Sequence, residues 1–143
     1  MNNSQKFNQI CKDIKSIKIQ GAENIAKAGF YAYKLIPKEK SRKKLISLRP
    51  TEPMLFNALK QADKISYNDF VNRLKENQQN INKNVLKLIK NNFIVFTHCH
   101  SSSVIKALIY SHKKAKHFEV YNTETRPLFQ GRKTANELKK AGI

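Results

Sequence analysis

Apolar side chains recur every three or four residues along the first two thirds of the chain, which is the spacing of one face of an α-helix. This spacing predicts helices over residues 4–17, 23–35, 54–62 and 66–89. Ser66 and Asp69 have the spacing of a reciprocal cap at the start of the last of these helices, and Pro37 ends the second. The pattern therefore predicts a helical bundle subdomain over residues 1–92.

From Phe93 the pattern changes to strands that alternate with helices. The predicted elements are strands over residues 93–96 and 118–121 and a helix over residues 101–115. Thr134 and Glu137 predict the cap of a last short helix that stops at Gly142. Strand-helix-strand units of this kind build parallel sheets with right-handed crossovers, so residues 93–143 are predicted to be a truncated Rossmann-like domain with two strand-helix units. The chain as a whole is predicted to be an α/β protein.

A cysteine flanked by two histidines, His98-Cys99-His100, follows the first predicted strand, and a run of serines opens the next helix. Ligands of open α/β sheets bind where strands end and helices begin, because helix amide groups and the positive dipole end favour an anion there. Cys99 is therefore the candidate reactive residue, and an anion is favoured at the start of the helix that Ser101, Ser102 and Ser103 open. The alternative is that Cys99 is a small buried residue and that both histidines are solvated.

Length and cysteine content limit the class of protein. A chain of 143 residues forms one modest domain, or one domain and part of another. The only other cysteine, Cys11, is too distant in sequence for a metal-binding spacing or a disulfide scaffold, so we expect no metal site and a reducing, cytoplasmic location. No apolar run has membrane-spanning length, and the polar start has no signal-peptide core.

The chain carries a net charge of +18, which raises the question of nucleic-acid binding. Its lysines are spread over every predicted helix, and its aromatic residues occupy core-like positions instead of alternating with basic ones as stacking platforms. A surface that an AT-rich genome has filled with lysine, asparagine and isoleucine is therefore the preferred explanation of the charge. The densest basic run, Lys38–Lys44, is predicted to be a solvated connector, and a nucleic-acid partner is not expected.

Several short motifs, taken together, resemble those of a known family. They are residues 97–101, residues 123–127 with Gln130 and Gly131, residues 134–138, and two earlier stretches over residues 19–26 and 49–59. In this order they are similar to the archaeal ribose-1,5-bisphosphate isomerases. That group is related to the alpha, beta and delta subunits of translation initiation factor 2B and to methylthioribose-1-phosphate isomerase. The presence of Cys99 and His100 favours the bisphosphate isomerase branch.

The resemblance implies conversion of ribose 1,5-bisphosphate to ribulose 1,5-bisphosphate, in AMP metabolism, without a metal or organic cofactor. It implies that Cys99 is one member of an acid-base pair and that an aspartate after the next strand is the other. It also implies a homo-oligomer when the protein is complete. The substrate-binding residues that it implies, beside the three serines, are Gly21, Ala22, Arg49, His100, Arg126 and Gln130. Two alternatives stay open: Arg49 lies in solvent, and Glu124 pairs with Arg126 as scaffold.

The chain departs from the family pattern in three ways. Gln20 stands where the family has an arginine, the connector after the second helix is short, and the sequence ends before the expected aspartate. We therefore expect the N-terminal half of an isomerase that acts with a separate C-terminal half chain. The alternative is a non-catalytic regulatory subunit, or fragment, like those of initiation factor 2B.

Overall fold

A computed structural model describes all of residues 1–143 and shows seven helices with a two-stranded parallel sheet. The elements in chain order are α1 (Asn3–Lys15), α2 (Ala22–Leu35), α3 (Glu39–Leu48), α4 (Pro53–Gln61), α5 (Tyr67–Leu88), β1 (Phe93–His98), α6 (Ser102–Lys113), β2 (Phe118–Thr123) and α7 (Gln130–Lys140). The α/β fold predicted from the sequence is confirmed. None of these helices combines the length and apolar character needed to cross a bilayer.

The prediction that Lys38–Lys44 is a solvated connector is wrong, because this segment forms most of α3. Ser41 and Leu45 lie one helical turn apart and are both buried, whereas Lys43 and Lys44 are exposed. The first two turns of this helix contain one strongly apolar residue. The apolar spacing is therefore too weak to predict a helix within a run of charged residues. Five helices therefore precede β1, one more than predicted.

The chain forms two compact units, residues 1–74 and 75–143, which join within α5. In the first unit, α2 provides the centre of the core, where the ring of Phe30 stacks on that of Phe70 at 4.5 Å. Ser66 and Asp69 form the predicted reciprocal cap at the start of α5, since the Asp69 amide donates to the Ser66 hydroxyl at 3.1 Å and that hydroxyl donates to the Asp69 carboxylate at 2.7 Å.

The first unit also contains a network of polar side chains. The Tyr33 hydroxyl donates to the Asp63 carboxylate at 2.6 Å and accepts a bond from the Arg42 guanidinium at 2.7 Å. Arg42 also pairs with Asp63 and donates to the Leu59 carbonyl. The bond from Tyr33 is the main cause that lowers the pKa of Asp63, and Arg42 lowers it further. The network joins three helices and the turn after α4.

In the second unit, β1 and β2 run parallel with Phe93 opposite Phe118 and His98 opposite Thr123. The helices α6 and α7 bury Ile105, Leu108 and Leu138 in a core that Val95 and Val120 of the strands complete. The opposite face of the sheet is open. Its exposed side chains are the large apolar or aromatic Ile94 (68%), Phe96 (70%) and Tyr121 (55%), together with Glu119 and His98.

The predicted cap at Thr134 and Glu137 is wrong, because α7 begins four residues earlier, at Gln130. Phe129, in the left-handed region at φ 48°, precedes the helix, and the Gly131 amide donates to the Glu124 carboxylate at 3.0 Å. A carboxylate from the preceding loop therefore satisfies the amino end of α7. Thr134 lies within the helix and is 1% exposed.

Candidate functional site

Cys99 lies directly after β1, where both parallel strands end at the same edge of the sheet. Its φ is 62°, in the left-handed region that non-glycine residues adopt at a cost of about 1–2 kcal/mol. Four other non-glycine residues share a positive φ, all in connections between elements: Ile17, Asn92, Ala115 and Phe129. Positive φ by itself is therefore common in this chain. The contacts that hold Cys99 in this conformation are what set it apart.

Two polar side chains hold the thiol of Cys99, which is partly exposed. The S–H group donates to the amide oxygen of Gln130 at 2.8 Å. The Thr125 hydroxyl, from the loop after β2, donates to the sulfur at 3.7 Å. These contacts come from two different segments, so the sulfur is aimed at the strand-end edge of the sheet and is not packed as an apolar core atom. The arrangement favours the reactive interpretation of Cys99 over the buried alternative.

The backbone of Cys99 is held by a third contact, from Thr134. The buried hydroxyl of Thr134 donates to the Cys99 carbonyl oxygen at 2.9 Å and lies 3.2 Å from Nδ1 of His100. His100 in turn has its Nε2 at 3.9 Å from the Glu137 carboxylate. Burial lowers the pKa of His100, and the positive charge of Lys133 lowers it further. The ring is therefore biased toward its neutral form.

Gly131 lets α7 approach the end of β2 closely enough to make these contacts. A Cβ at this position would lie 2.3 Å from the Thr123 carbonyl oxygen and 2.9 Å from the Cα of Glu124. The side-chain amide of Asn122 donates to the Gly131 carbonyl at 3.0 Å. Because Gln130 and Thr134 are one turn apart on α7, this close approach brings both of them to Cys99.

The remaining residues predicted in this unit lie around the same edge. Ser101 caps α6 without a side-chain hydrogen bond to the helix, and the serines that follow it form the first turn of that helix. His98 is exposed and bonded to Thr123 through its Nδ1. The Arg126 guanidinium lies 5.9 Å from the ring centroid of Phe129. The Glu124 carboxylate pairs with Arg132 at 3.3 Å, so its ion pair is with a residue of α7 and not with Arg126 as considered above.

The predicted phosphate-binding residues of the first unit lie on turns between its helices. Gly21, at φ 81°, is the N-cap of α2, and a Cβ there would have no atom within 4 Å. Ala22 is the first residue of that helix. Arg49 ends α3 and, with Pro50, Thr51 and others, lines an open cavity of about 400 Å³.

Sequence reasoning missed the two threonines that bind Cys99. In the sequence, Thr125 stands out only as part of the motif over residues 123–127, and Thr134 only as part of a predicted helix cap and of the motif over residues 134–138. Threonines are common in loops after strands, like Thr125, and within helices, like Thr134, so neither position indicates a contact with Cys99. The two residues come close to the thiol because β1 pairs in parallel with β2. No group of three or more histidine, cysteine or acidic side chains that could bind a metal ion is found.

Comparison with known proteins places this geometry in context. The family model for the initiation factor 2 subunit family matches residues 39–143. A ribose 1,5-bisphosphate isomerase from Archaeoglobus fulgidus is 28% identical over 94% of this chain, and the chain spans 51% of the length of that protein. The fold is that of the translation initiation factor eIF-2B structure from Pyrococcus horikoshii, with a TM-score of 0.78 at 22% identity over 96% of this chain and 57% of that one.

A tetrameric eIF2B beta2-delta2 complex from Chaetomium thermophilum has the same fold, with a TM-score of 0.75 at 16% identity over 96% of this chain and 56% of that one. Related proteins of this fold therefore form oligomers. The chain spans about half the length of the relatives that it matches. The family model covers most of the chain, including both strands and the whole thiol site, and the chain belongs to the initiation factor 2 subunit family.

Proposed function

We propose that this chain is the N-terminal half of a sugar-phosphate isomerase that converts ribose 1,5-bisphosphate to ribulose 1,5-bisphosphate. The observation that carries the proposal is the Cys99 thiol, which polar side chains hold at the strand-end edge of a parallel sheet. The similarity to a ribose 1,5-bisphosphate isomerase over nearly the whole chain supports it. We propose no metal or organic cofactor for this reaction.

The reaction opens a ring and moves a hydrogen from C2 to C1 of the sugar, with no net gain or loss of atoms. Such a transfer needs one group that removes a proton and another that delivers one, on opposite sides of the substrate. Cys99 is the proposed member of this pair on the present chain. The second member is a carboxylate supplied by a polypeptide equivalent to the second half of the relatives. Gln130 accepts the thiol hydrogen bond and so fixes the direction in which the sulfur presents its proton.

The two substrate phosphates are expected to bind at helix amino ends and basic side chains. Ser101, Ser102 and Ser103 offer amides and hydroxyls at the start of α6, next to Cys99. From the first unit, Gly21 and Ala22 would offer backbone amides and Arg49 a guanidinium. His100, Arg126 and Gln130 complete the proposed set of substrate-binding residues.

The open face of the sheet is the proposed surface for the polypeptide that supplies the rest of the fold. Parallel sheets bury both faces, and an isolated pair of strands is not stable alone in water. Here one face is covered by α6 and α7, whereas Ile94, Phe96 and Tyr121 remain exposed on the other. The complete enzyme is proposed to be a homo-oligomer, as related proteins of this fold form oligomers.

Reconstitution tests the activity. The chain is mixed with a polypeptide equivalent to the second half of the relatives, and ribulose 1,5-bisphosphate formation is measured for the mixture and for each part alone. The mixture should be active, and Cys99→Ala should lower turnover by roughly 10²-fold or more, as expected for loss of an acid-base group. Cys11→Ala is the matched control, because Cys11 is buried in the first unit. Undiminished activity of Cys99→Ala would eliminate the proposed role.

A variant of the open face tests the partner surface. Phe96→Ser should weaken association of the two polypeptides by roughly tenfold or more, since burial of a phenylalanine contributes about 1.5–3 kcal/mol. Phe56→Ser is the control, because Phe56 is an exposed phenylalanine of the first unit. Equal dissociation constants for the two variants, measured by calorimetry, would show that the partner binds elsewhere.

A second candidate function is a non-catalytic regulatory subunit like those of initiation factor 2B. The family model that matches is that of initiation factor 2 subunits, and Gln20 stands where the resemblance leads us to expect an arginine. A regulatory subunit should bind initiation factor 2 in a pull-down experiment and should not need Cys99 for this binding. An isomerase would convert the bisphosphate and lose that activity with Cys99→Ala.

A further inference from the structure

Thr134 is the one buried side chain that joins the backbone of Cys99 to the ring of His100. The residue is 1% exposed, and its hydroxyl donates to the Cys99 carbonyl at 2.9 Å and lies 3.2 Å from Nδ1 of His100. A hydroxyl has one hydrogen, and here that hydrogen is engaged with the carbonyl. The contact with His100 must then be one in which the ring donates, so the neutral ring carries its proton on Nδ1.

Cys99 needs such a contact because its conformation is unfavourable in isolation. A non-glycine residue at φ 62° persists when the surroundings fix it. If the bond from Thr134 were lost, the backbone would relax toward negative φ and the sulfur would turn away from Gln130 and Thr125. The contacts of the thiol therefore depend on a hydroxyl that does not touch the sulfur.

We infer that Thr134 is a positioning residue, which fixes the backbone of Cys99 and the tautomer of His100 so that the thiol stays between Gln130 and Thr125. Gln130 and Thr134 then act together as one face of α7, the former on the sulfur and the latter on the carbonyl. This inference rests on the proposed function only for its consequence in catalysis. Its structural content can be tested without any activity.

The test compares Thr134→Val, which removes the hydroxyl and keeps the shape, with Thr134→Ser, which keeps the hydroxyl. Ser111→Ala is the matched control, because Ser111 is another fully buried hydroxyl of the second unit and donates to Ala107 at 2.9 Å. It should lose a similar hydrogen bond without any effect at Cys99. All variants are made in the full chain.

The first readout is nuclear magnetic resonance. Nitrogen-15 shifts of the His100 ring should show the Nδ1–H tautomer in the wild type, Thr134→Ser and Ser111→Ala, and should move toward the other tautomer in Thr134→Val. The HN–Hα coupling of Cys99, which reports φ, should change in Thr134→Val alone. An unchanged His100 tautomer and an unchanged Cys99 coupling in a folded Thr134→Val protein would overturn the inference.

The second readout is turnover of the reconstituted enzyme. Thr134→Val should lower kcat by roughly tenfold to hundredfold, and Thr134→Ser should restore most of the rate. Equal losses in the valine and serine variants would also overturn the inference. If Cys99→Ala proved fully active, the proposed function would fail, while the magnetic resonance result would still decide the role of Thr134. If Thr134→Val does not fold, the role of the Thr134 hydroxyl is decided by Thr134→Ser, with Ser111→Ala as the control. A kcat loss in Thr134→Ser as large as that in Cys99→Ala would contradict a role for the hydroxyl.

Discussion

Adding a single methyl group at Gly131 should displace α7 from the end of β2. The new Cβ would lie 2.3 Å from the Thr123 carbonyl oxygen, 2.9 Å from the Cα of Glu124 and 3.0 Å from the Asn122 amide nitrogen. Ordinary contact is about 3.5 Å, so the helix must move by roughly 1 Å, and two of the three obstructing atoms belong to the backbone and cannot rotate away. The shift would strain the bonds from the Gly131 amide to Glu124 and from Asn122 to the Gly131 carbonyl, both 3.0 Å.

The magnitude follows from three contributions. Overpacking costs about 1–3 kcal/mol, two weakened hydrogen bonds about 0.5–1.5 kcal/mol each, and the higher helix propensity of alanine returns about 1 kcal/mol. Gly131→Ala should therefore lower the free energy of unfolding of the second unit by about 1–5 kcal/mol. Urea denaturation, with hydrogen exchange of α7 as the local probe, measures this loss.

Asn136→Ala is the matched control, because residue 136 is an exposed position of the same helix. It should leave stability unchanged or raise it by a few tenths of a kcal/mol. A Gly131→Ala protein as stable as this control, with unchanged exchange in α7, would refute the close approach and with it the placement of Gln130 and Thr134 at Cys99.

Three further predictions concern packing and pH. Leu45→Ala, at a fully buried position of α3, should lower stability by about 2–5 kcal/mol in urea denaturation, whereas exposed Lys43→Ala should change it by less than about 0.5 kcal/mol; equal effects would contradict the packing of the basic segment. The pKa of Asp63 is lowered in the folded state, so the Asp63 carboxylate contributes fully to folding stability above its ordinary pKa of about 4. This contribution is lost as the pH falls further, and Asp63→Asn should therefore flatten the pH dependence of the urea midpoint below about pH 4. An unchanged slope would contradict the network with Tyr33. The pKa of His100 is also lowered in the folded state, so the unfolded chain takes up that proton first and stability should fall as the pH drops below about 6.5; His100→Gln should remove this part of the profile, and an identical profile would contradict its burial.

The sequence pattern predicted the elements with strong periodicity and missed the one without it. The apolar stripes of α2 and α5, the Ser66 cap and the two strands are where the spacing placed them. The basic helix α3 was missed because its burial is carried by Ser41 and Leu45 while lysine and arginine occupy its other face. A run of charged residues indicates that one face of the segment is exposed to solvent. It does not exclude that the segment is a helix whose other face is buried.

The site was predicted as a location but not as a set of contacts. The rule that ligands bind at the carboxyl ends of parallel strands identified the turn with Cys99. The roles of Thr134 and Gly131 depend on how closely α7 approaches β2, which is a distance in space that no spacing along the chain encodes. The cap signature at Thr134 was misleading. Threonine hydroxyls often cap helices, but the Thr134 hydroxyl donates to the Cys99 carbonyl instead.

Protection of Cys99 by substrate tests most directly whether the thiol belongs to the site of a sugar bisphosphate. The reconstituted protein is treated with iodoacetamide with and without saturating ribose 1,5-bisphosphate, and mass spectrometry follows modification of Cys99, with buried Cys11 as internal reference. We expect the bisphosphate to slow modification of Cys99 by roughly tenfold or more, and ribose alone to leave the rate unchanged. Equal rates of Cys99 modification with and without the bisphosphate, in a protein shown to bind it, would show that the thiol lies outside the substrate site.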